Sequence, residues 1–203
     1  MCGIYLAQNK LDFHELALAN SYRGNDTSSI SVIDLNGNIS TAKFNNGYNK
    51  SQLDEFDESY ILFIIGHTQS ATTKDSVAHP VTLGDSHLWH NGVIKAESIR
   101  DMQSVTGLET SFDTELMLNY IDNVGFNGLN DIDGGFSCFY YTEGKLFIFH
   151  NSVSPLFVGD NTFSSVKLKN MKAVEVDKVF RIGTVVMTPI FEFKTKNNPF
   201  FFT

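Results

Sequence analysis

Six consecutive apolar residues, Tyr60 to Ile65, constrain the fold of this chain more than any other feature. The run is far shorter than the roughly 20 residues that a membrane-spanning helix needs. It also lacks the polar alternation of a strand with one wet face. It therefore predicts a strand buried on both faces. With 203 residues, the chain favours one domain with a sizeable core around such a strand.

The rest of the sequence reads as strands, then a helical pair, then strands. Gly3 to Ala7 predicts a strand at the N-terminus. Leu11, Phe13, Leu16, Ala17 and Leu18 have loosely helical spacing within Leu11 to Asn20. Ser28 to Leu35 and Ile39 to Phe44 flank Asn36-Gly37-Asn38, a hairpin signal. The polar stretch Asn45 to Ser51 reads as a loop. Lys95 to Val105 and Asp113 to Asn123 predict helices, with Leu116, Met117 and Tyr120 at helical spacing in the second. Phe136 to Tyr141 and Lys145 to His150 predict a hairpin around Thr142-Glu143-Gly144, and short strands continue to Phe193. This order is α+β, with helices covering mainly antiparallel sheets. The 18 Phe, beside many Val, Ile and Thr, lean the same way.

Composition excludes several classes. Hydrophobic residues make up 42% of the chain and charged residues 19%, which argues against disorder. A formal net charge of -8 disfavours non-specific binding to nucleic acid or to an acidic membrane surface. Two cysteines, Cys2 and Cys138, cannot make a disulfide framework, and no signal peptide is evident. A reducing cytoplasmic compartment with both thiols free is the expectation. The tail Pro199 to Thr203 carries three consecutive Phe, and packing on the domain or on a partner is expected of it.

Five short segments bear chemistry. Cys2 becomes the first residue once Met1 is removed, which is efficient before a small residue. A free α-amine titrates at about 7.7–8.0 and can act as general base, while the thiolate is a strong nucleophile. One residue then supplies both functions; otherwise Cys2 is simply a small second residue. Tyr22-Arg23-Gly24-Asn25-Asp26-Thr27-Ser28 sets a guanidinium beside a glycine turn, or is an ordinary loop from helix to strand. Gly66-His67-Thr68-Gln69-Ser70-Ala71-Thr72 follows the buried strand, as site residues often do, or is that strand leaving the core. His90-Asn91-Gly92 can aim a side-chain amide and a backbone N–H at one oxyanion, where losing one donor costs about 2.7–4 kcal/mol. Taken alone, Asn-Gly is better read as a β-turn. Asp113, in Phe112-Asp113-Thr114-Glu115, can hold a ligand's ammonium group or cap its helix.

All five occur in one order, and in that order the chain resembles the glutaminase domain of class II glutamine amidotransferases. Cys2-Gly3-Ile4 is similar to the N-terminal nucleophile motif of that family, and Arg23-Gly24-Asn25-Asp26 to its Arg-Gly-x-Asp loop. Gly66 to Thr72 resembles its Gly-His-Thr-Arg-x-Ala-Thr segment. His79-Pro80, His90-Asn91-Gly92-Val93-Ile94 and Asp113-Thr114-Glu115 follow in the same sequence. Ser154-Pro155-Leu156, Gly159 and Phe163-Ser164-Ser165 extend the likeness over nearly the whole chain.

The resemblance implies a four-layer αββα sandwich of antiparallel sheets, the N-terminal nucleophile hydrolase fold, with residues 1–203 forming one glutaminase-type domain. It implies Cys2 as nucleophile and base, and Asn91 with Gly92 as the oxyanion hole. Asp113 would hold the α-amino group of glutamine, Arg23 would shape the pocket and Thr72 would help bind the substrate. The implied reaction is hydrolysis of the glutamine side-chain amide; since no acceptor domain is read in the chain, the ammonia passes to a separate acceptor-binding synthase, or the protein is a free-standing glutaminase. One position departs from the pattern. Gln69 stands where the family places the arginine that grips the α-carboxylate, and Ser70 follows it where an aromatic residue is usual. A neutral amide makes a weaker contact than a bidentate arginine. Weak glutamine binding, a substitute cation, a different amide substrate, or a regulatory module without turnover are therefore also open. No metal or organic cofactor is called for: His67, His79, His87 and His90 lack a zinc spacing, and structural or supporting roles suit them better. Cys138, within an apolar strand, reads as core.

Overall fold

The computed structural model describes residues 2–57, 60–70, 78–184 and 186–196. In chain order the first elements are β1 (Gly3–Ala7), α1 (Lys10–Ser21), β2 (Thr27–Asp34), β3 (Ile39–Phe44), α2 (Lys50–Asp54) and β4 (Ile61–Gln69). Then come β5 (Val81–Leu83), β6 (Ser86–Ile94), α3 (Ala96–Thr106), α4 (Asp113–Val124), a 3-10 turn (Phe126–Asn130), β7 (Gly134–Thr142) and β8 (Lys145–His150). The last are β9 (Phe157–Gly159), β10 (Thr162–Ser164), β11 (Lys172–Ala173), β12 (Lys178–Ile182) and β13 (Met187–Glu192). Every strand pairing among the described residues is antiparallel. The α+β class expected from the sequence is what the chain adopts.

The chain divides into two compact units that interleave in sequence. The first takes the described residues of Met1–Pro80 and Pro155–Val174. Its seven-stranded sheet runs β11-β9-β10-β1-β4-β2-β3. β1 is a middle strand, buried at all five residues, with Gly3 opposite Thr68 and Ile4 opposite His67 on β4. α1 starts at Asn9, whose side chain accepts from Asp12 N at 2.9 Å, a typical N-cap. It buries Phe13, Leu16, Ala17 and Asn20, spaced three, one and three residues apart, so they share one face. That face packs in one cluster with Tyr5, Ala7, Ile30, Val32 and Ile64 of the sheet. Full burial of each large side chain contributes about 1.5–3 kcal/mol. Asn45 to Ser51 is not all loop: Asn49 and Gln52 form a capping box that starts the single turn of α2.

The second unit takes the described residues of Val81–Ser154 and Glu175–Thr203. Its six-stranded sheet runs β13-β12-β8-β7-β6-β5. α4 buries Leu116, Met117, Leu118, Tyr120 and Ile121 in a cluster with Leu88, Phe136, Cys138, Tyr140 and Phe149 of the sheet. α3 ends on Gly107 at φ 72°, where the glycine N–H returns to Gln103 O at 2.9 Å, as left-handed caps do. The β7–β8 hairpin turns through Glu143 and Gly144, both at positive φ, as its sequence predicts. Among the described residues no helix is long and apolar enough to cross a membrane. The aromatic tail Pro199 to Thr203 lies outside the described residues.

Candidate active site

In the first unit, three residues singled out from sequence come together at the head of β1. Cys2 immediately precedes the strand and is partly exposed. Arg23 Nε donates to the Cys2 carbonyl at 2.7 Å. Burial pulls the half-buried Arg23 guanidinium below its ordinary pKa, and Cys2 opposes that pull. The loop that carries Arg23 lies against the end of β4. A Cβ on Gly24 would sit 2.3 Å from the Gln69 carbonyl carbon and 2.4 Å from Ser70 N, so only glycine allows the approach. Asp26 N donates to Gln69 O at 3.0 Å, and Thr27 Oγ1 donates to Gln69 Oε1 at 3.1 Å.

A polar knot fixes this strand head. Asn20 is fully buried at the end of α1. Its Nδ2 donates to Leu16 O and to Ser164 Oγ, both at 2.9 Å, while its Oδ1 accepts from Ser165 Oγ at 3.1 Å. Ser165 Oγ in turn accepts from Ile4 N at 3.1 Å, and Thr68 Oγ1 donates to Asn20 O at 3.2 Å. Gly3 makes room for the knot, since a Cβ there would lie 2.7 Å from Asn20 Oδ1. Buried polar groups are tolerated when paired in this way.

In the second unit, Asn91 and Gly92 lie within β6, not in a turn. Asn91 Nδ2 donates to Ser137 Oγ at 3.1 Å, and its carbonyl accepts from Ser154 Oγ at 3.1 Å and Ser137 Oγ at 3.3 Å. The first bond holds the side-chain amide, and the other two hold the backbone carbonyl, of a residue 3% exposed. Gly92 is there for close approach: a Cβ would lie 1.8 Å from Gly135 O. The turn reading of Asn-Gly is thus corrected, because the glycine meets a neighbouring strand instead of reversing the chain. Asp113 is the first residue of α4 and does not cap it; the cap is Phe112, without a side-chain bond. The Asp113 carboxylate accepts from Ile94 N at 3.4 Å and from Thr114 Oγ1 at 3.3 Å, and it stands 3.9 Å from His90 Nδ1.

Each half of the expected constellation is therefore assembled in its own unit: Cys2, Arg23 and Gln69 in one, Asn91, Gly92 and Asp113 in the other. Thr72 lies outside the described residues. The segment Gly66 to Gln69 does not leave the core, since β4 stays buried through Gln69. His67 and His79 stack with ring centroids 3.9 Å apart, and His87 lies beside Trp89 and Tyr141. Among the described residues no group of three or more His, Cys, Asp or Glu could hold a metal ion. Cys138 is fully buried, and burial, followed by Asp113, pushes its thiol well above the ordinary range. Sequence reasoning passed over Asn20 and Ser137, and it quoted Thr27 and Ser154 only as members of their motifs, with no role of their own. Only Asn20 left a signal there: a polar residue seven positions after Phe13, on the apolar stripe of α1.

No protein-family model matches the chain. It is 30% identical over 134 residues, 60% of this chain, to the glutamine–fructose-6-phosphate aminotransferase (isomerizing) of Aliivibrio fischeri. It is 28% identical over the same length to the enzyme of that name from Vibrio parahaemolyticus. The chain is thus similar to part of these glutamine-using aminotransferases, in line with its resemblance to the glutaminase domains of the class II glutamine amidotransferases. It spans about a fifth of these relatives' length, 22%. Among solved structures it superposes on glutamine phosphoribosylpyrophosphate amidotransferase from B. subtilis, complexed with ADP and GMP, with a TM-score of 0.71. That match covers 98% of this chain and 50% of the other, at 17% identity. A structure described as the allosteric regulatory enzyme of purine biosynthesis gives a TM-score of 0.70 and 17% identity over 97% of this chain. These two likenesses speak for the fold alone, and the fold is the class expected. At Gln69 this chain carries a buried neutral amide tied to Thr27.

Proposed function

We propose that residues 1–203 act as one glutaminase domain, in which Cys2 hydrolyses the side-chain amide of glutamine. The observation that carries this reading is the placement of Cys2 at the head of a buried middle strand, its carbonyl on Arg23 Nε at 2.7 Å, in a relative of glutamine-using enzymes. Removal of Met1 is required, because the base is the α-amine that this exposes.

The Cys2 sulfur attacks the carboxamide carbon, and the thiol proton passes to the α-amine. A C–S bond forms, and the carbonyl oxygen becomes an oxyanion facing the amide of Asn91 and the N–H of Gly92. The C–N bond then breaks, with the α-amine returning its proton to the leaving nitrogen as ammonia. Water attacks the thioester, the C–S bond breaks, and glutamate and the free thiol are released. In this scheme Asp113 holds the substrate ammonium, Arg23 shapes the pocket, and Gln69 and Thr72 contribute to substrate binding. The ammonia goes to an acceptor-binding synthase partner, for which Phe200 to Phe202 is the proposed contact. A cytoplasmic location suits this chemistry.

The test is ammonia and glutamate release by the wild type and by Cys2→Ala. The reading predicts equimolar products from the wild type and none from the variant. Activity that survives Cys2→Ala contradicts it.

The Thr27–Gln69 bond favours a second reading at the same thiol, hydrolysis of an amide other than free glutamine. A carboxylate gains less from a neutral amide than from a guanidinium. A screen of primary amides for ammonia release separates the two. A chain that hydrolyses none of them, and takes no adduct on Cys2, is a binding or regulatory module instead.

A further inference from the structure

Resting on the glutaminase reading, we propose that His90 is a positioning residue that fixes the Asp113 carboxylate through Thr114, and so sets how strongly an α-ammonium group is selected. His90 is buried in the middle of β6, 3% exposed. Its Nδ1 lies 3.1 Å from Thr114 Oγ1, and Thr114 Oγ1 lies 3.3 Å from Asp113 Oδ1. The direct distance from Nδ1 to Oδ1, 3.9 Å, is too long for a hydrogen bond.

Proton counting orders the chain. The Thr114 hydroxyl has one proton, and an ionised carboxylate only accepts. That proton therefore goes to Asp113, and the hydroxyl oxygen is left to accept from His90 Nδ1–H. The other ring nitrogen gives an independent indication. His90 Nε2 is buried without a hydrogen-bond partner and faces Gly92, within 2.8 Å of the place a Cβ would occupy. A proton there would be an orphaned buried donor, a rare and costly arrangement. Both observations select the neutral ring with its proton on Nδ1.

The relay runs from Nδ1–H to the Thr114 hydroxyl and on to Oδ1, and it ties one carboxylate oxygen to the floor of the unit. The second oxygen accepts from Ile94 N at 3.4 Å. The start of α4 adds its own preference for negative charge. The carboxylate is thus held in one orientation while 23% of its side chain stays exposed. A fixed carboxylate gains more from a ligand cation than one that must be ordered on binding. This assigns to the His that precedes Asn91-Gly92 a part in selecting the amino pole of the substrate, separate from the oxyanion contact of its neighbours.

The test compares L-glutamine with glutaramate, the same acid amide without the α-amino group. The expected result is that Thr114→Val and His90→Leu lower the ratio of kcat/KM for glutamine to that for glutaramate about tenfold, mainly through KM for glutamine. Thr114→Ser, which keeps the hydroxyl, and His90→Asn, whose Nδ2 can take the place of Nδ1, restore most of the ratio. General damage to the fold lowers both substrates together and leaves the ratio alone, so an unchanged ratio in Thr114→Val overturns the proposal. The relay is also read without turnover, from the imidazole nitrogen signals of 15N-histidine-labelled protein. A proton on Nδ1 of His90 that responds to Thr114→Val supports it, and a proton on Nε2 overturns it. A wild type that hydrolyses neither amide defeats the glutaminase reading, whereas the nitrogen signals still decide the relay.

Discussion

Thr27 Oγ1 donates to Gln69 Oε1 at 3.1 Å, so the first residue of β2 holds the side-chain amide at the end of β4. Asp26 N reinforces the contact by donating to Gln69 O at 3.0 Å. A glutamine here is thus an anchored end of an interior strand, and replacing it changes charge where the proposed substrate carboxylate binds. A charge-assisted hydrogen bond contributes about 1.5–3 kcal/mol. Gln69→Arg is expected to lower KM for glutamine about tenfold with kcat nearly constant. Steady-state glutaminase kinetics check this, and an unchanged KM counts against the carboxylate role.

Gly24 is the point at which the Arg23 loop touches β4. The added methyl of Gly24→Ala would overlap the Gln69–Ser70 peptide. Overpacking of this kind costs about 1–3 kcal/mol. Denaturant unfolding should show that loss, and glutaminase activity should fall with it as the Arg23 contact to Cys2 is displaced. Full stability in Gly24→Ala would contradict the packing described.

Asn20 joins α1 to β10 through its paired amide, and reaches β1 through Ser165, whose Oγ accepts from Ile4 N. Asn20→Ala leaves Ser164, Ser165 and the Leu16 carbonyl with fewer partners, and a loss of about 2–3 kcal/mol is expected from those buried groups. Ser165→Ala should cost less, because Ser165 N still donates to Ile4 O. Equal unfolding midpoints for Asn20→Ala and the wild type would remove the knot from the account.

Tyr140 donates to Asp122 Oδ1 at 2.5 Å. Burial first, then that bond, pushes its phenol from 10.0 to about 12. A phenol whose pKa is raised by folding contributes stability that is complete below the unfolded pKa. That contribution is lost as pH rises from 10 through about 12. Tyr140→Phe is therefore expected to flatten the fall of stability across that window relative to the wild type. Denaturant midpoints measured from pH 9 to 12 check the slope.

Much of this fold was legible in the sequence where one signal dominates. β1 and the β7–β8 hairpin follow directly from apolar runs and from a turn whose Glu143 and Gly144 take positive φ. β6 was hidden because Asn91-Gly92 matches a turn, whereas this glycine serves the approach of Gly135 O. The burial of Gln69 was hidden for a different reason. A polar residue after an apolar strand signals exit from the core unless a partner such as Thr27, 42 positions away, satisfies it. Asn20 shows locally only as a polar residue on the apolar stripe of α1, and its partners Ser164 and Ser165 are 144 and 145 positions distant, beyond any local pattern. The roles proposed for Cys2, Asn91 and Asp113 rest on the order of motifs that resembles the glutaminase domains, because each residue alone has a commoner structural use.

The central claim concerns one sulfur atom at the start of the mature chain. Intact and peptide mass analysis after incubation with 6-diazo-5-oxo-L-norleucine, a glutamine analogue that traps such thiols, tests it most directly. The account predicts that Met1 is absent and that a single adduct sits on Cys2 and disappears in Cys2→Ala. A retained Met1, or an adduct that persists in Cys2→Ala, contradicts it.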